Sequence, residues 1–177
     1  MQEVRRMSSG LILRPFTGAD LFLLTELEHD PEVRYFDGDP VPGGWNLAAA
    51  QSNTYLVAEL GEGELAQAIG VIVCQRLLDD PVIFSIGINL FAPFRNQGLG
   101  KLTLRRLLTW LFSEQQADRI ELLVRDYNLR AIRCYQAVGF RQEGLRRACG
   151  RINGQLYGEI LMSILRIEAG QYLQPLG

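Results

Sequence analysis

The apolar pattern of this chain changes from strand-like to helix-like across a single glycine-containing loop. Residues 82–90 are rich in β-branched side chains and are predicted to form a strand. From Gly98 onward the apolar residues recur at helical spacing, and the stripe consists of Leu104, Leu107, Leu108 and Leu111. A strand that leads through a loop into a long amphipathic helix restricts the chain to folds in which helices pack against a sheet.

The other segments of the chain also alternate between the two patterns. Strands are predicted at 11–14, 54–60, 68–75, 120–124, 140–151 and 156–166, and helices at 21–27 and 129–138. Residues 29–45 are acidic and rich in helix breakers, which predicts a loop or a short helix with a loop. Asn153-Gly154 is typical of a tight hairpin turn between the last two strands. The order β-α-β-β-β-α-β-α-β-β predicts one α+β or α/β domain over residues 10–167, with 1–9 and 168–177 as tails.

Composition narrows the class of protein. A chain of 177 residues with 47 % hydrophobic content can bury one core, and its net charge of −2 gives no sign of nucleic-acid binding through bulk charge. No run of 18 apolar residues predicts a membrane span, and the N-terminus lacks the apolar core of a secretory signal. The three cysteines are scattered and form no metal-ligand spacing with the single histidine. These features predict a cytoplasmic protein with reduced thiols and no metal.

The loop before the long helix is a candidate anion site. It reads Arg95, Asn96, Gln97, Gly98, Leu99, Gly100 and Lys101. The first N–H groups of a helix have no partner inside the helix, and together with the helix dipole they attract phosphate groups. Pyrophosphate suits such a site. The alternative is that the two glycines serve only a tight loop, because the spacings of a Walker loop and of a dinucleotide fingerprint are both missing.

A second motif follows about thirty residues later. It contains Asn128, Ala131 and Tyr135, and it ends in Gly139-Phe140. Together with Arg95, Gly98 and Gly100, this pattern resembles the GNAT acetyltransferase superfamily, and the predicted element order resembles it as well. The Leu13-Arg14-Pro15 opening and the segment 157–160 are most similar to the branch that includes the ribosomal-protein N-terminal acetyltransferases.

The resemblance implies a fold, a reaction and a set of site residues. The fold has a central, mostly antiparallel sheet flanked by helices, and the reaction moves an acetyl group from acetyl-CoA directly to a primary amine. The residues implied near the coenzyme are Ile88, Asn89 and Leu90 through their backbone, the loop Asn96 to Lys101 for the pyrophosphate, and Asn128. Tyr135 is the implied general acid toward the departing thiolate. Its alternative role is to fill core space, and Asn128 is also a plausible N-cap.

The general base is left open by the sequence. The places where many relatives carry a glutamate hold Ser85 and Leu123, while Glu121 lies on the same strand face as Leu123. A water chain through Ser85 or the backbone is an equal alternative. The missing glutamate also supports a rival function, a non-catalytic CoA-binding regulatory module.

The acceptor side is expected in the first helix and the loop after it. Six carboxylates cluster there: Glu26, Glu28, Asp30, Glu32, Asp37 and Asp39. An acidic cleft attracts a cationic amine such as a protein N-terminus, a polyamine or another small amine, and the alternative is a solvated acidic surface. Tyr35, Phe36 and Trp45 line this cleft or pack the loop. Arg146, Arg147 and Arg151 are interpreted as a solvated strand face. A homodimer is compatible with the sequence, which does not determine the oligomeric state.

Overall fold

The computed structural model describes residues 10–37, 53–170 and 172. Asp39 and Trp45, which the sequence places near the acceptor, lie outside these residues. The strands are β1 (Leu11–Pro15), β2 (Asn53–Leu60), β3 (Gln67–Asp79), β4 (Val82–Leu90), β5 (Arg119–Arg125), β6 (Arg141–Ile152) and β7 (Gln155–Leu165). The helices are α1 (Leu21–His29), α2 (Pro31–Asp37), α3 (Leu99–Ser113), α4 (Leu129–Gln136) and the short α5 (Arg166–Ala169).

The seven strands form one sheet in the order β1-β2-β3-β4-β5-β7-β6. Every neighbouring pair is antiparallel except β4 and β5, which run parallel. The parallel pair is joined by α3, as a crossover connection requires. This arrangement confirms the predicted α+β class and the mostly antiparallel sheet flanked by helices.

One sheet face is covered by α3 and α4. The predicted leucine stripe of α3 is fully buried, and it packs against Ile120 and Leu122 of β5. Tyr135 of α4 and Phe140, the residue before β6, complete this core. The stripe forms because residues three and four apart lie on one side of a helix, and burial of that side contributes most of the stability of the layer.

The opposite sheet face is covered by α1. Leu23, Leu24 and Leu27 pack there against Val57 and Val71 of the first strands. This second core covers the β1–β4 half of the sheet, so that α1 and α2 stand beside β4 on the side away from α3 and α4. Side chains from both sets of helices meet at the middle of the sheet, between β4 and β5.

Helix α2 lies in the segment that was predicted as a loop or a short helix. Asp30 caps it, because its Oδ1 atom accepts hydrogen bonds from the N–H groups of Glu32 at 2.8 Å and Val33 at 3.2 Å. Pro31 takes the first helical position, where proline costs no hydrogen bond. Local capping therefore forms a helix despite the breakers in the segment.

The end of α4 comes slightly earlier than predicted. The helix ends at Gln136, and Gly139 follows with a φ of 103°, a left-handed value that favours glycine. The N–H of Phe140 donates to the carbonyl of Tyr135 at 3.1 Å, which closes the helix end. This turn directs the chain from α4 into β6.

The feature that positions the site is the separation of β4 from β5. The two strands pair only at Ile83↔Arg119, Phe84↔Ile120 and Ser85↔Glu121. Beyond these pairs the second half of β4 remains paired with β3 but has no partner in β5. The sheet is therefore open at its centre along residues 86–90.

Candidate active site

A cleft of about 780 Å³ lies where β4 and β5 separate. Residues 86–90 of β4 form one wall, and residues 123–125 of β5 form the other. Side chains from α2, α3 and α4 also line it, so the cleft connects the two sides of the sheet. A cavity of this size holds a small molecule or the reactive end of a larger one.

The backbone of β4 forms the central wall. Ile86 to Leu90 pair with Cys74 to Gly70 of β3 on one edge, and the other edge faces the cleft. An unpaired strand edge offers N–H and C=O groups to an extended ligand that carries amides. Ile88, Asn89 and Leu90, the three residues implied by the resemblance, all lie on this wall.

The start of α3 forms one end of the cleft. Gly98 is the N-cap with a φ of 83°, and the first helical hydrogen bond runs from the Leu102 N–H to the Gly98 carbonyl at 3.3 Å. The N–H groups that precede Leu102 therefore have no helical partner. Gly98, Gly100 and Lys101 line the cleft, and so does Asn96. Backbone donors, the helix dipole and a lysine charge meet at this end, which suits a phosphate group.

Two residues of the loop do not line the cleft with their side chains. The Gln97 amide donates to the carbonyl of Pro93 at 2.5 Å, and the Leu99 side chain is buried in the core. This placement agrees with a loop that acts through its main chain. Gln97 positions the loop and Leu99 anchors α3, so neither side chain is in position to touch a ligand.

The Arg95 side chain links the loop to the junction of α1 and α2, where the sequence predicts the acceptor side. Its Nε donates to the Leu90 carbonyl at 2.8 Å, and its Nη2 donates to Oδ2 of Asp30 at 2.6 Å. Its Nη1 lies 3.4 Å from Oε2 of Glu32. Burial alone would raise the pKa of Asp30, but hydrogen bonds from Arg95 and from the α2 backbone outweigh it and lower that pKa. The Arg95 charge is thus largely compensated within the protein.

Tyr135 and Asn128 reach the cleft from α4. Tyr135 is 8 % exposed, and its ring packs edge-to-face against Phe140 at 5.7 Å between ring centroids. The Oδ1 atom of Asn128 accepts from the Ala131 N–H at 3.1 Å, so Asn128 caps α4 while it also lines the cleft. Both roles foreseen for Asn128 are therefore compatible.

Cys134 lines the cleft next to Tyr135. Burial raises the pKa of its thiol, and the charges of Lys101 and Arg130 only partly oppose this effect. The thiol is therefore held in its neutral form and is a poor nucleophile. Cys74 and Cys149 are also free, one buried and one exposed.

Phe36 lines the cleft and belongs to a group of four aromatic rings, the aromatic corner, together with Tyr35, Tyr127 and Tyr157. The Tyr127 ring lies 5.1 Å from Tyr35, 5.8 Å from Phe36 and 5.8 Å from Tyr157, measured between centroids. Arg125 lies over the Tyr157 ring at 4.4 Å and lines the cleft. Phe36 lines it as well, which agrees with its predicted place.

The predicted acidic cleft is largely neutralised in the structure. Of the six clustered carboxylates, Glu32 lines the cleft, and it forms ion pairs with Arg95 and Arg130. Asp30 is paired with Arg95, and Glu26 and Glu28 of α1 are not among the lining residues. The side chains of Asp37 and Asp39 lie outside the part of the chain that the structure describes. The other lining carboxylate is Glu159 of β7, which accepts from Arg146 at 2.9 Å.

Ser85 and Glu121, which were considered for the general base, are not among the residues that line the cleft. Ser85 and Glu121 face each other where β4 and β5 are still paired, before the strands separate. Glu121 also forms an ion pair with Arg119 at 2.8 Å. Leu123 does line the cleft, but it carries no titratable group. Neither the Glu121 hypothesis nor the Ser85 water chain is supported by this geometry.

Several lining residues were not singled out by sequence reasoning. They are Val33, Ile86, Val124, Arg125, Arg130, Arg133, Cys134 and Glu159, none of which had an expected role in the site. Alternation of apolar and polar residues along β5 and β7 assigns Arg125 and Glu159 to the face opposite the core. This alternation is the sequence feature that could have identified them. It did not show that the two strands are neighbours.

Two further observations on the described chain concern metal ligands and membrane-spanning helices. Across residues 10–37 and 53–170, no group of three or more His, Cys, Asp and Glu side chains converges as metal ligands would. The helices found in the same ranges are all too short or too polar to cross a bilayer.

Comparison with known proteins agrees with the family that the sequence motifs resemble. A sequence profile described as an acetyltransferase (GNAT) domain matches residues 10–141. The [ribosomal protein bS18]-alanine N-acetyltransferase of Haemophilus influenzae is 31% identical over 106 residues, which cover 58% of this chain and 68% of that protein. Its counterpart in Haemophilus ducreyi is 35% identical over 82 residues, 45% of this chain and only 52%, about half, of that protein.

A solved structure shares the fold over nearly the whole chain. The spermidine N-acetyltransferase from Vibrio cholerae, in complex with CoA and spermine, superimposes with a TM-score of 0.80 and 19% sequence identity. The match covers 91% of this chain and 98% of that one. At this level of identity the likeness concerns the fold.

Proposed function

The chain belongs to the GNAT acetyltransferase family, and on that premise we propose that it transfers an acetyl group from acetyl-CoA directly to a primary amine. The observation that carries the proposal is the cleft itself. It brings together an open strand edge, the N-terminus of α3 and the Tyr135 side chain. A thioester, a pyrophosphate and a departing thiolate require these three kinds of group.

The chain's residues have distinct binding tasks in this proposal. The open edge of β4, at Ile88, Asn89 and Leu90, binds the amides of the pantetheine arm as an added strand would. The N–H groups between Asn96 and Lys101 hold the pyrophosphate, and the ammonium of Lys101 adds charge. Arg130 and Arg133 also line the cleft and increase its attraction for a polyanion.

The reaction is a direct displacement at the thioester carbonyl. The amine nitrogen, after losing a proton, forms a bond to the carbonyl carbon, and the carbon–sulfur bond then breaks. Tyr135 donates its hydroxyl proton to the departing sulfur, the nitrogen releases its second proton to solvent, and Tyr135 recovers a proton from solvent. A tyrosine that is 8 % exposed and fixed by Phe140 keeps its hydroxyl in one place, which favours proton transfer along a defined path.

The relatives support an amine acceptor without selecting one. The matched Haemophilus proteins acetylate an alanine of a ribosomal protein, and the similar Vibrio structure acetylates spermidine, as their names state. A protein N-terminus, a polyamine and other small amines therefore remain the acceptors to compare.

The test is thiol release from acetyl-CoA by the purified chain with a panel of N-terminal peptides, amino acids, polyamines and aminoglycosides. We expect saturable turnover with at least one of them. Calorimetry with CoA is the companion measurement. Binding of CoA without turnover on any amine would favour the non-catalytic regulatory module, whereas absence of CoA binding would reject both functions.

A further inference from the structure

Arg125 and Glu159 are opposite charges that face each other on neighbouring strands without forming an ion pair. They are direct partners in the register of β5 and β7, and both line the cleft. Directly opposed residues of an antiparallel pair share a sheet face and have Cβ atoms about 5 Å apart. Such a pair would normally close into a salt bridge, so the arrangement that keeps these two charges apart needs an explanation.

The aromatic corner holds the Arg125 side chain in place. Its guanidinium lies over the Tyr157 ring at 4.4 Å, and its Nη1 donates to the Tyr127 hydroxyl at 2.9 Å and to the Tyr35 carbonyl at 3.3 Å. These contacts use one nitrogen and fix the plane of the group. Within the described chain, Nε and Nη2 of Arg125 have no hydrogen-bond partner, which leaves one edge of a planar, pre-organised fork for a ligand.

Of the two carboxylate oxygens of Glu159, only one has a hydrogen-bond partner within the described chain. Its Oε2 accepts from Nη1 of Arg146 at 2.9 Å, and the Arg146 side chain is 63% exposed. No donor reaches Oε1 from any residue that the structure describes. A solvent-exposed ion pair contributes little energy and exchanges readily, so Glu159 remains able to accept a hydrogen bond from an ammonium group.

We propose that Arg125 and Glu159 form the acceptor subsite and select an amine that carries a carboxylate or carbonyl oxygen close by, as an α-amino acid or the first residue of a peptide does. This inference rests on the proposed acetyl transfer. Arg125 binds the oxygen through its open edge, because guanidinium donors match carboxylate and carbonyl acceptors. Glu159 accepts from the ammonium before that group loses its proton.

The charges that line the cleft disfavour the binding of an acceptor with several positive groups. Glu32 is already neutralised by Arg95 and Arg130, and Glu159 is partly neutralised by Arg146. Arg125 adds a positive charge to the same lining. Among the lining residues that the structure describes, a polycation would meet little net negative charge, whereas a dipolar α-amino unit matches one cation and one anion.

The experiment compares alanine with an amine that differs from it only in lacking the oxygen group, and adds a peptide and a polyamine as further acceptors. Alanine, an alanyl peptide, ethylamine, which is alanine without its carboxylate, and spermidine are assayed with acetyl-CoA. We expect alanine or the alanyl peptide to give the highest kcat/KM, and the larger of the two values identifies the source. Arg125→Gln should lower kcat/KM for that acceptor by about tenfold to a hundredfold through KM, with ethylamine unaffected.

Two further variants keep the test decisive. Arg125→Lys retains the charge but loses the planar fork, so we expect it to behave like the glutamine variant toward the preferred acceptor. Arg105→Gln, an exposed position of α3 outside the cleft, is the matched control and should change nothing. Circular dichroism melts and CoA calorimetry on each variant show that the fold and the coenzyme site are retained.

The subsite is overturned by a wild-type preference for spermidine or ethylamine, or by an Arg125→Gln loss that is equal for all four acceptors. Either result leaves the proposed acetyl transfer intact, since turnover is still observed. Failure of the transfer itself has a different signature, which is CoA binding with no turnover on any acceptor.

Discussion

Asp30 and Arg95 form a largely buried ion pair, with 2.6 Å between Oδ2 and Nη2, that joins the α1–α2 junction to the loop before α3. The pair connects the α1–α2 junction with the cleft wall, because Arg95 also donates to the carbonyl of Leu90 at the end of β4. Arg95 therefore holds the helices of one sheet face against the end of β4.

The first prediction concerns the stability that this pair provides. Arg95→Gln leaves the Asp30 carboxylate buried without its partner, and loss of one member of a buried pair costs about 3 kcal/mol. The free energy of unfolding from urea titrations measures this. We expect the double variant Asp30→Asn with Arg95→Gln to lose less than the sum of the two single losses, and strictly additive losses would contradict the coupling.

The second prediction concerns acid stability. Hydrogen bonds from Arg119 and Ser163 lower the pKa of Glu143 to about 2. A carboxylate whose pKa is lower in the folded state stabilises the fold above its unfolded pKa, and this contribution is lost as the pH falls toward the folded value. The unfolding free energy of the wild type should therefore decline between about pH 5 and pH 2.

Two variants test whether Glu143 causes this decline in the unfolding free energy. They are Glu143→Gln and the control Glu114→Gln. Glu143→Gln should flatten the decline in the same pH window, because the titrating group is gone. Glu114, an exposed residue at the end of α3, serves as the control, and its replacement should preserve the wild-type curve. A wild-type slope that persists in Glu143→Gln would show that other groups carry the effect.

The third prediction concerns Tyr135. Tyr135→Phe removes the hydroxyl and retains the ring that packs on Phe140, so the fold and CoA affinity should be unchanged. We expect kcat to fall about a hundredfold, since a positioned general acid contributes at least that factor. Steady-state kinetics and calorimetry measure the two quantities. Tyr55→Phe on β2 is the control, and an unaltered kcat in Tyr135→Phe would remove Tyr135 from the mechanism.

The fourth prediction concerns Gly100. A Cβ atom at this position would lie 3.5 Å from the Cys134 sulfur, an ordinary contact that the fold tolerates. The larger side chain of Gly100→Val would extend into the cleft beside the helix start and should weaken CoA binding at least about tenfold in calorimetry. Gly18→Ala, in open space on the far side of β1, should bind CoA like the wild type.

The elements were predictable because each depends on neighbours along the chain. The stripe of α3 follows from helical spacing, the cap at Asn128 from its side-chain oxygen, and the end of α4 from the positive φ available to Gly139. The Gly98–Lys101 helix start was found for the same reason, since an anion site at a helix N-terminus needs only local backbone geometry.

The acceptor end was less predictable because it depends on distant partners. Acidic composition suggested a negative cleft, but the arginines that neutralise it come from other elements, as Arg95 and Arg130 do for Glu32. Composition counts charges without showing which of them meet. The same limit explains why Glu121 and Ser85 were considered for the base, although the strand separation begins only after them.

The sequence by itself determined the strands and helices and the glycine-containing loop at the start of α3. Only the tertiary structure decided that Arg125 of β5 lies beside Glu159 of β7, and that Asp30 reaches Arg95. The physical reason is that period-two alternation assigns a side chain to a sheet face but leaves open which strand pairs with which and in what register. Register is set by packing of the whole core, and here it also places Arg125 opposite Glu159.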